Sequence, residues 1–189
     1  VSTIEHALFP VDSAKKLDLL RHVMEEDGFA SAIVFTRTKH RARRIARQLD
    51  SAGHSAVALQ GNMSQGQRDR AMKGFRDRRY NILVATDIAA RGIDVDQVSH
   101  VINFDMPGTV DAYTHRIGRT GRSEREGKGY TFVTADDESL VRAVERRIGS
   151  RIPRRRVNGF AENPRADERS GPARSPRPAS RRRRYRRAS

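Results

Sequence analysis

The chain contains no cysteine and no tryptophan. Without thiols there is no disulfide framework, no thiolate metal site and no cysteine nucleophile. The six histidines are scattered, with no close-spaced pair, so no zinc pattern emerges from them. A reducing, cytoplasmic setting fits this composition. Long apolar runs are also missing: none approaches the roughly 18 residues that span a bilayer, and nothing at the start resembles a signal peptide. No membrane partner is therefore expected. The chain opens on Val1 and reads as a piece of a longer protein. A Walker A run of the form G-x-x-x-x-G-K-[ST] is absent too, because Gly127-Lys128-Gly129 lacks both the upstream spacing and the hydroxyl.

What is present in excess is positive charge. The 189 residues hold 38 Lys and Arg against 23 Asp and Glu, a net charge of +15. The excess is unevenly distributed: residues 1–150 carry +4, whereas residues 151–189 carry 14 Arg and only three acids. Five of the seven prolines also fall after Ile152. A segment so poor in branched aliphatics cannot bury enough apolar surface to offset its ordering entropy. The expected organisation is a folded domain over 1–160, with Val157 and Phe160 docked on it, followed by a disordered Arg- and Pro-rich tail over 161–189. The run Arg181-Arg182-Arg183-Arg184-Tyr185-Arg186-Arg187 is a polyanion-binding footprint. Solubilisation or addressing is the plainer use of such a tail.

Within the domain, short β-rich apolar runs alternate with amphipathic stretches. Ala32–Phe35, Ala56–Leu59, Ile82–Ala85, His100–Phe104 and Tyr130–Val133 read as buried strands. Helical stripes fall at Leu17, Leu20, Val23 and Met24, and at Ala42, Ile45, Ala46 and Leu49, the second ending at Gly53. Ser64 to Gln67 has capping-box spacing and opens a third helix carrying Met72 and Phe75; Val110 to Ile117 and Glu138 to Ile148 read as two more. The acids Asp136-Asp137-Glu138 are expected to cap that last helix rather than bind metal. The alternation predicts an α/β fold with a mainly parallel sheet and helices on both faces, and ligands beyond the carboxyl ends of its strands.

Those ends are polar and rich in glycine: Thr36 to Lys39, Gln60 to Asn62, and Thr86 and Asp87 followed by Ala89-Ala90-Arg91-Gly92-Ile93-Asp94. Hydroxyls, glycine amides and helix starts suit phosphate oxygens, although Thr and Ser also cap helices for purely structural reasons. The string Tyr113-Thr114-His115-Arg116-Ile117-Gly118-Arg119-Thr120-Gly121-Arg122 places three Arg at spacing three, with two Gly between them. Each interior Gly costs a helix about 1 kcal/mol relative to Ala, so the pattern is poor for a structural helix. It suits a polyphosphate, because guanidinium forks bind phosphate bidentately and keep their charge. The alternative is a solvated basic turn balanced by Glu124 and Glu126.

The strings AIVFTRTK (Ala32 to Lys39), QGNMSQGQR (Gln60 to Arg68), ILVATDIAARGIDV (Ile82 to Val95), VINFDMP (Val101 to Pro107) and YTHRIGRTGR (Tyr113 to Arg122) resemble, in order and spacing, the C-terminal half of DEAD-box RNA helicases. The likeness runs from about Ile4 to Phe160, and FTRTKH with the ending near Ile152-Pro153 is most similar to the bacterial RhlE-type branch. It implies a RecA-like three-layer domain that closes on an N-terminal RecA-like domain of the same protein, with ATP between them and one RNA strand in a shared groove. By that likeness Arg119 and Arg122 would be arginine fingers, and Asp94 would accept from the ribose hydroxyls in a turn shaped by Arg91 and Gly92. His115 and Arg116 would meet catalytic carboxylates of the other domain. Thr38, Gly61, Gln65, Arg68, Thr86 and Asp87 would line the RNA backbone. Gln60 and Asn62 depart from the family, where His and Asp are commoner. ATP and Mg2+ would be bound mainly by the N-terminal domain, so this chain alone is expected to be inactive. Two other readings remain open: a catalytically silent domain binding RNA or a partner, and a motor acting on DNA.

Overall fold

The structure, a computed structural model, describes residues 4–91, 98–120, 127–158 and 160. Six strands form one sheet in the order β1-β6-β5-β2-β4-β3, and every pairing is parallel. The strands are β1 (Ile4–Pro10), β2 (Ala32–Phe35), β3 (Ala56–Leu59), β4 (Ile82–Ala85), β5 (His100–Asn103) and β6 (Gly127–Val133). Helices α1 (Lys16–Met24), α2 (Lys39–Ser51), α3 (Gln65–Arg76), α4 (Asp87–Ala90), α5 (Val110–Ile117) and α6 (Glu138–Ile148) lie between and after them. Parallel pairing leaves the crossovers to cover both faces, so the central strands are buried on each side. Period-two alternation divides the core. Ile33, Phe35, Leu83, Ala85 and Val101 meet Met72, Phe75, Tyr113, Ile117 and Val144 on one face. On the other, Ala32, Val34, Ile82, Val84 and Ile102 meet Leu20, Val23, Ala42, Ile45 and Leu49.

The architecture agrees with the α/β expectation, and the helices at 110–117 and 138–148 fall where the periodicity puts them. Local detail differs from the sequence pattern at four points. Ile4–Pro10 forms a strand that the sequence pattern did not reveal, because two adjacent polar residues, Glu5 and His6, leave only a short apolar run and it ends in proline; proline is tolerated on an edge strand. The stretch after β4 forms a one-turn helix, α4, capped by the Thr86 hydroxyl. The Asp137 carboxylate does not cap α6. It reaches back to the amide and hydroxyl of Thr134, at 2.9 and 3.0 Å, closing a capping box on the short 3-10 turn at 135–137. β6 also starts earlier than expected, so Gly127-Lys128-Gly129 lies within a strand. A Cβ on Gly129 would come within 2.9 Å of Ile117 Cδ1, so a side chain there would oblige the end of Ile117 to move.

After α6 the chain returns to the sheet margin. Leu8 donates to Pro153 O and Arg155 donates to Leu8 O, both at 2.8 Å. The Arg155 guanidinium covers the rings of Phe9 and Tyr130 and pairs with Glu26 at 3.0 Å. Val157 and Phe160 pack against the second core cluster. The tail over 161–189 lies outside the described residues.

Two positions carry measurable strain. Arg78 sits at φ 62° just after α3, where its amide donates to Phe75 O and that of Arg79 to Gly74 O. This is the Schellman arrangement, in which glycine is the usual occupant. Arg78→Gly is expected to stabilise the domain by about 0.5–1 kcal/mol, less than the full left-handed penalty because glycine also loosens the unfolded chain. A rise of about 2–4 °C in Tm would register it; a lower Tm would contradict the account. His100 is fully buried at the start of β5. Ser99 Oγ accepts from the Ala30 and Ser31 amides at 3.0 Å each and lies 2.7 Å from Ser31 O and 2.8 Å from His100 Nδ1, while His100 Nε2 has no partner among the described residues. Burial, with Lys128 and Arg155 nearby, pushes its pKa down to about 4 from 6.5. The unfolded chain therefore binds the proton first, and stability present above pH 6.5 is lost as pH falls toward 4. Urea unfolding at pH 7, 6, 5 and 4 should show a steeper loss for wild type than for His100→Asn, whose amide can still hydrogen-bond with Ser99; equal slopes would contradict the assignment.

Candidate nucleotide and nucleic-acid interface

β2 stands where the strand order reverses, with β4 and β3 on one side and β5, β6 and β1 on the other. Ligand crevices in such sheets open at the carboxyl ends of the strands beside that reversal. Four helices begin on this rim with a hydroxyl cap. Thr38 accepts from Arg41 N at 3.2 Å, Ser64 from Gln67 N at 3.3 Å, Thr86 from Ala89 N at 3.4 Å and Thr109 from Ala112 N at 3.1 Å. Ser64 completes the capping box, with its own amide donating to Gln67 Oε1 at 2.9 Å. Each cap satisfies a donor that the first helical turn leaves orphaned. The hydroxyls thus have a structural task, and at the same time bring helix N-termini to a common rim.

Arg116 lies at the centre of the rim. Its side chain is 4% exposed and is tied into the domain from several directions. Nε and Nη2 donate to the two oxygens of Asp87 at 2.6 Å each, a bidentate fork. Nη1 donates to Asn103 Oδ1 and to the carbonyl of Asp105, both at 3.1 Å, while the guanidinium lies 4.9 Å from the Phe35 ring centre. Loss of Asp87 would leave a buried cation with two neutral acceptors, a cost of about 1.5–3 kcal/mol for a charged hydrogen bond. A second buried group adjoins the first. Asp105 accepts from Arg37 N at 2.9 Å and from Arg41 Nη1 at 2.6 Å, with Lys16 Nζ at 3.6 Å. Lys16 also donates to Phe104 O at 2.9 Å. Burial holds the Lys16 ammonium below its ordinary pKa, and Asp105 opposes that shift.

Arg91, His115 and Arg119 open onto one cleft of about 250 Å3, with Asp87, Arg116 and Phe35 at its base. His115 and Arg91 are exposed and Arg119 is partly so, its backbone amide donating a hydrogen bond to Arg116 O at 3.1 Å. α5 ends at Ile117 and Gly118 caps it, so Arg119 leaves the helix axis, as the poor helical character of this string predicts. Of the sequence-predicted residues, Gly92, Asp94 and Arg122 lie outside the described residues. On the neighbouring part of the rim, Thr38, Gly61 and Gln65 are exposed. Gln65 Nε2 donates to Asp69 at 2.8 Å, and Arg68 Nη2 donates to Ala89 O at 3.2 Å, tying α3 to α4. Thr86 and Asp87 stand between the two groups. Asn103, Asp105, Lys16 and Arg41 were not anticipated; the one available signal was a polar Asn and Asp bracketing Phe104 at the end of an apolar strand. Among the described residues, no group of three or more His, Asp or Glu side chains converges as a metal shell. The described rim offers cations and hydroxyls, which fit phosphate oxygens.

Comparison with known proteins agrees with this geometry. The family model described as "Helicase conserved C-terminal domain" matches residues 15–124. The ATP-dependent RNA helicase DeaD of Mycobacterium tuberculosis is 45% identical over 136 residues, 72% of this chain and 24% of that protein. CshA, a DEAD-box ATP-dependent RNA helicase of Bacillus subtilis, is 39% identical over 154 residues, 82% of this chain and 31% of its own length. The chain therefore spans between a quarter and a third of these two relatives. Among solved structures, the Escherichia coli DEAD-box protein SrmB bound to the regulator RraA superposes with a TM-score of 0.78 at 38% identity, over 94% of this chain and 99% of that one. Saccharomyces cerevisiae Dbp5 bound to RNA and ADP BeF3 gives 0.72 at 33% identity, over 82% and 41%. With five motifs in order, a RecA-like parallel sheet and these likenesses, the chain belongs to the helicase C-terminal domain family, as the C-terminal domain of a DEAD-box RNA helicase.

Proposed function

We propose that this chain is the second domain of an ATP-dependent RNA helicase of the bacterial RhlE-type branch, completing an ATP site and half of an RNA groove when it closes on an N-terminal RecA-like domain. The observation that supports this best is the double-sided rim: Arg91, His115 and Arg119 around one cleft, with Thr38, Gly61, Gln65, Arg68 and Thr86 beside it. In this reading Arg119 and Arg122 neutralise charge that builds on the transferring phosphoryl group. Asp94 accepts from the ribose hydroxyls, Arg91 and Gly92 shape that turn, and His115 meets carboxylates of the other domain. Arg116, which the resemblance also points at those carboxylates, is 4% exposed and already takes Asp87 with two bonds, so in this reading it acts from inside, holding Asp87 in place between the nucleotide and RNA sides. ATP and Mg2+ would be held mainly by the other domain, where the ion would supply charge neutralisation at the phosphates.

The RNA residues address backbone rather than base edges, so the domain discriminates little between sequences. A groove shaped for one bent strand is incompatible with a continuous duplex, and closure separates base pairs locally. The tail over 161–189 adds sequence-independent attraction to RNA through its Arg side chains. The protein works in the cytoplasm on this reading.

The chain alone is expected to hydrolyse no ATP, and fusion to the parent's N-terminal half to restore RNA-stimulated turnover; robust turnover by the chain alone would defeat the proposal. In the fused protein, Arg119→Ala or Arg122→Ala should lower kcat by about a thousandfold or more while leaving nucleotide-free RNA binding nearly unchanged. Normal turnover in both variants would remove the finger assignment.

A further inference from the structure

β3 is the outermost strand of the sheet, bonded to β4 alone among the described strands. Beside it lies a cleft of about 590 Å3, bounded by α2, α3 and the turn before β4. Arg43, Arg70 and Arg79 reach into it, over a floor that includes Val57, Met63 and Tyr80. None of the three Arg forms a salt bridge among the described residues, whereas neighbouring cations do: Lys73 with Asp77 at 2.6 Å and Arg41 with Asp105 at 2.6 Å. Among the described residues, no acid lines the cleft. Its upper end is formed by Gln60 and Asn62, which flank Gly61 on the proposed RNA path. Its lower end is fixed by the left-handed Arg78 turn, which seats the Tyr80 ring against Gly74 so closely that a Cβ there would lie 2.5 Å from the ring. The sequence spends a strained residue at this turn and sets an aromatic ring and a guanidinium into the cleft beyond it.

We infer that this cleft is an extension of the single-strand RNA path, in which Arg43, Arg70 and Arg79 bind backbone phosphates of nucleotides beyond those held at Thr38, Gly61 and Gln65, and Tyr80 offers a face to a base. The inference rests on the RNA-groove reading above and adds residues outside the five motifs. Unpaired guanidinium forks are phosphate ligands, and the amides of Gln60, Asn62 and Gln67 suit ribose hydroxyls. An aromatic face beside a basic track is the usual platform for an unstacked base. An acidic peptide adding a strand to the sheet is the competing occupant. It is disfavoured because β3 has only four residues, and the wall beyond it carries polar side chains and cations rather than alternating apolar pockets.

The test uses the full 189-residue chain, with oligouridylates of about six and about fourteen nucleotides, and the variant Arg43→Gln/Arg70→Gln/Arg79→Gln. The tail is the same in both proteins, so a difference between them reports the cleft. Wild type is expected to bind the longer strand about tenfold or more tighter than the shorter, and the variant to lose most of that gain while keeping its affinity for the shorter one. The salt slope for the longer strand should also fall by about two, at roughly 0.7 for each phosphate no longer neutralised. A nitroxide on either end of the longer strand should broaden the amide signals of Val57 and Tyr80 in wild type and spare them in the variant. Equal gains in the two proteins, or no broadening at Val57 and Tyr80 from either end, would overturn the extension. So would an Asp- and Glu-rich peptide that shifts those signals while the RNA length gain survives the triple substitution. Failure of wild type to bind even the shorter strand would instead count against the primary groove at Thr38, Gly61 and Gln65.

Discussion

Arg116 is the group on which the rim depends. A guanidinium cannot shed its charge at any accessible pH, so burying one obliges the fold to supply acceptors on every side. Here they come from three places separated in sequence: the start of α4 through Asp87, the end of β5 through Asn103, and the following turn through the Asp105 carbonyl. Phe35 at the end of β2 supplies the ring beneath. Four segments are thereby fixed against one side chain, beside the backbone bonds that the Phe104 and Asp105 amides give to Phe35 O and the Thr36 amide to Ala85 O. Asp105 extends the arrangement, because its carboxylate takes the Arg37 amide and the Arg41 guanidinium and so sets the loop between β2 and α2. Asn103 is itself held by its amide on Thr131 at 3.0 Å, which brings β6 into the same set. The rim is preorganised by these bonds. Ligand binding need not order it, and that is the condition for binding energy to appear as affinity or closure.

The consequence for function concerns distance. Asp87 shares its oxygens with Arg116, and Arg116 belongs to the helix turn that carries His115 and Arg119. Thr86, the residue before Asp87, caps α4, and α4 is tied to α3 by Arg68. On the proposed reading, the nucleotide side and the RNA side are joined through one ion pair and one short helix. Such a joint transmits small displacements because packed interiors have few soft modes. It also explains why Asp87 is half exposed while its partner is buried: one member faces the groove and the other anchors it.

Most of the architecture was legible in the sequence because β2, β3 and β4 are unbroken apolar runs and α1 and α2 carry clean stripes. What escaped were features decided by tertiary context. β1 has two adjacent polar residues, Glu5 and His6, before a short apolar run and ends in proline, so its strand character comes from pairing with β6. Asp137 carries the composition of a helix cap, yet Thr134 three residues earlier offers both an amide and a hydroxyl, and the carboxylate takes those. The strained Arg78 is invisible to any propensity scale, since only the Schellman bonds of α3 place it in the left-handed region. At the rim, residue types were readable and directions were not. Three Arg in one string looked equivalent, but the helix geometry of α5 turns Arg116 toward the sheet, and the Gly118 cap lets Arg119 leave the helix axis.

The distribution of charge separates two kinds of basic residue. Arg116, Arg41 and Arg155 are neutralised by Asp87, Asp105 and Glu26 at short range, and their task is to hold segments together. Arg43, Arg70 and Arg79 have no salt-bridge partner among the described residues and surround an open cleft. In a domain whose first 150 residues carry only +4, this contrast matters more than the total. A sequence selected for solubility alone would disperse its surplus cations over the surface, since like charges repel. Concentrating unpaired ones around a single cleft at the sheet margin costs stability through that repulsion. The cost is offset when a polyanion is bound.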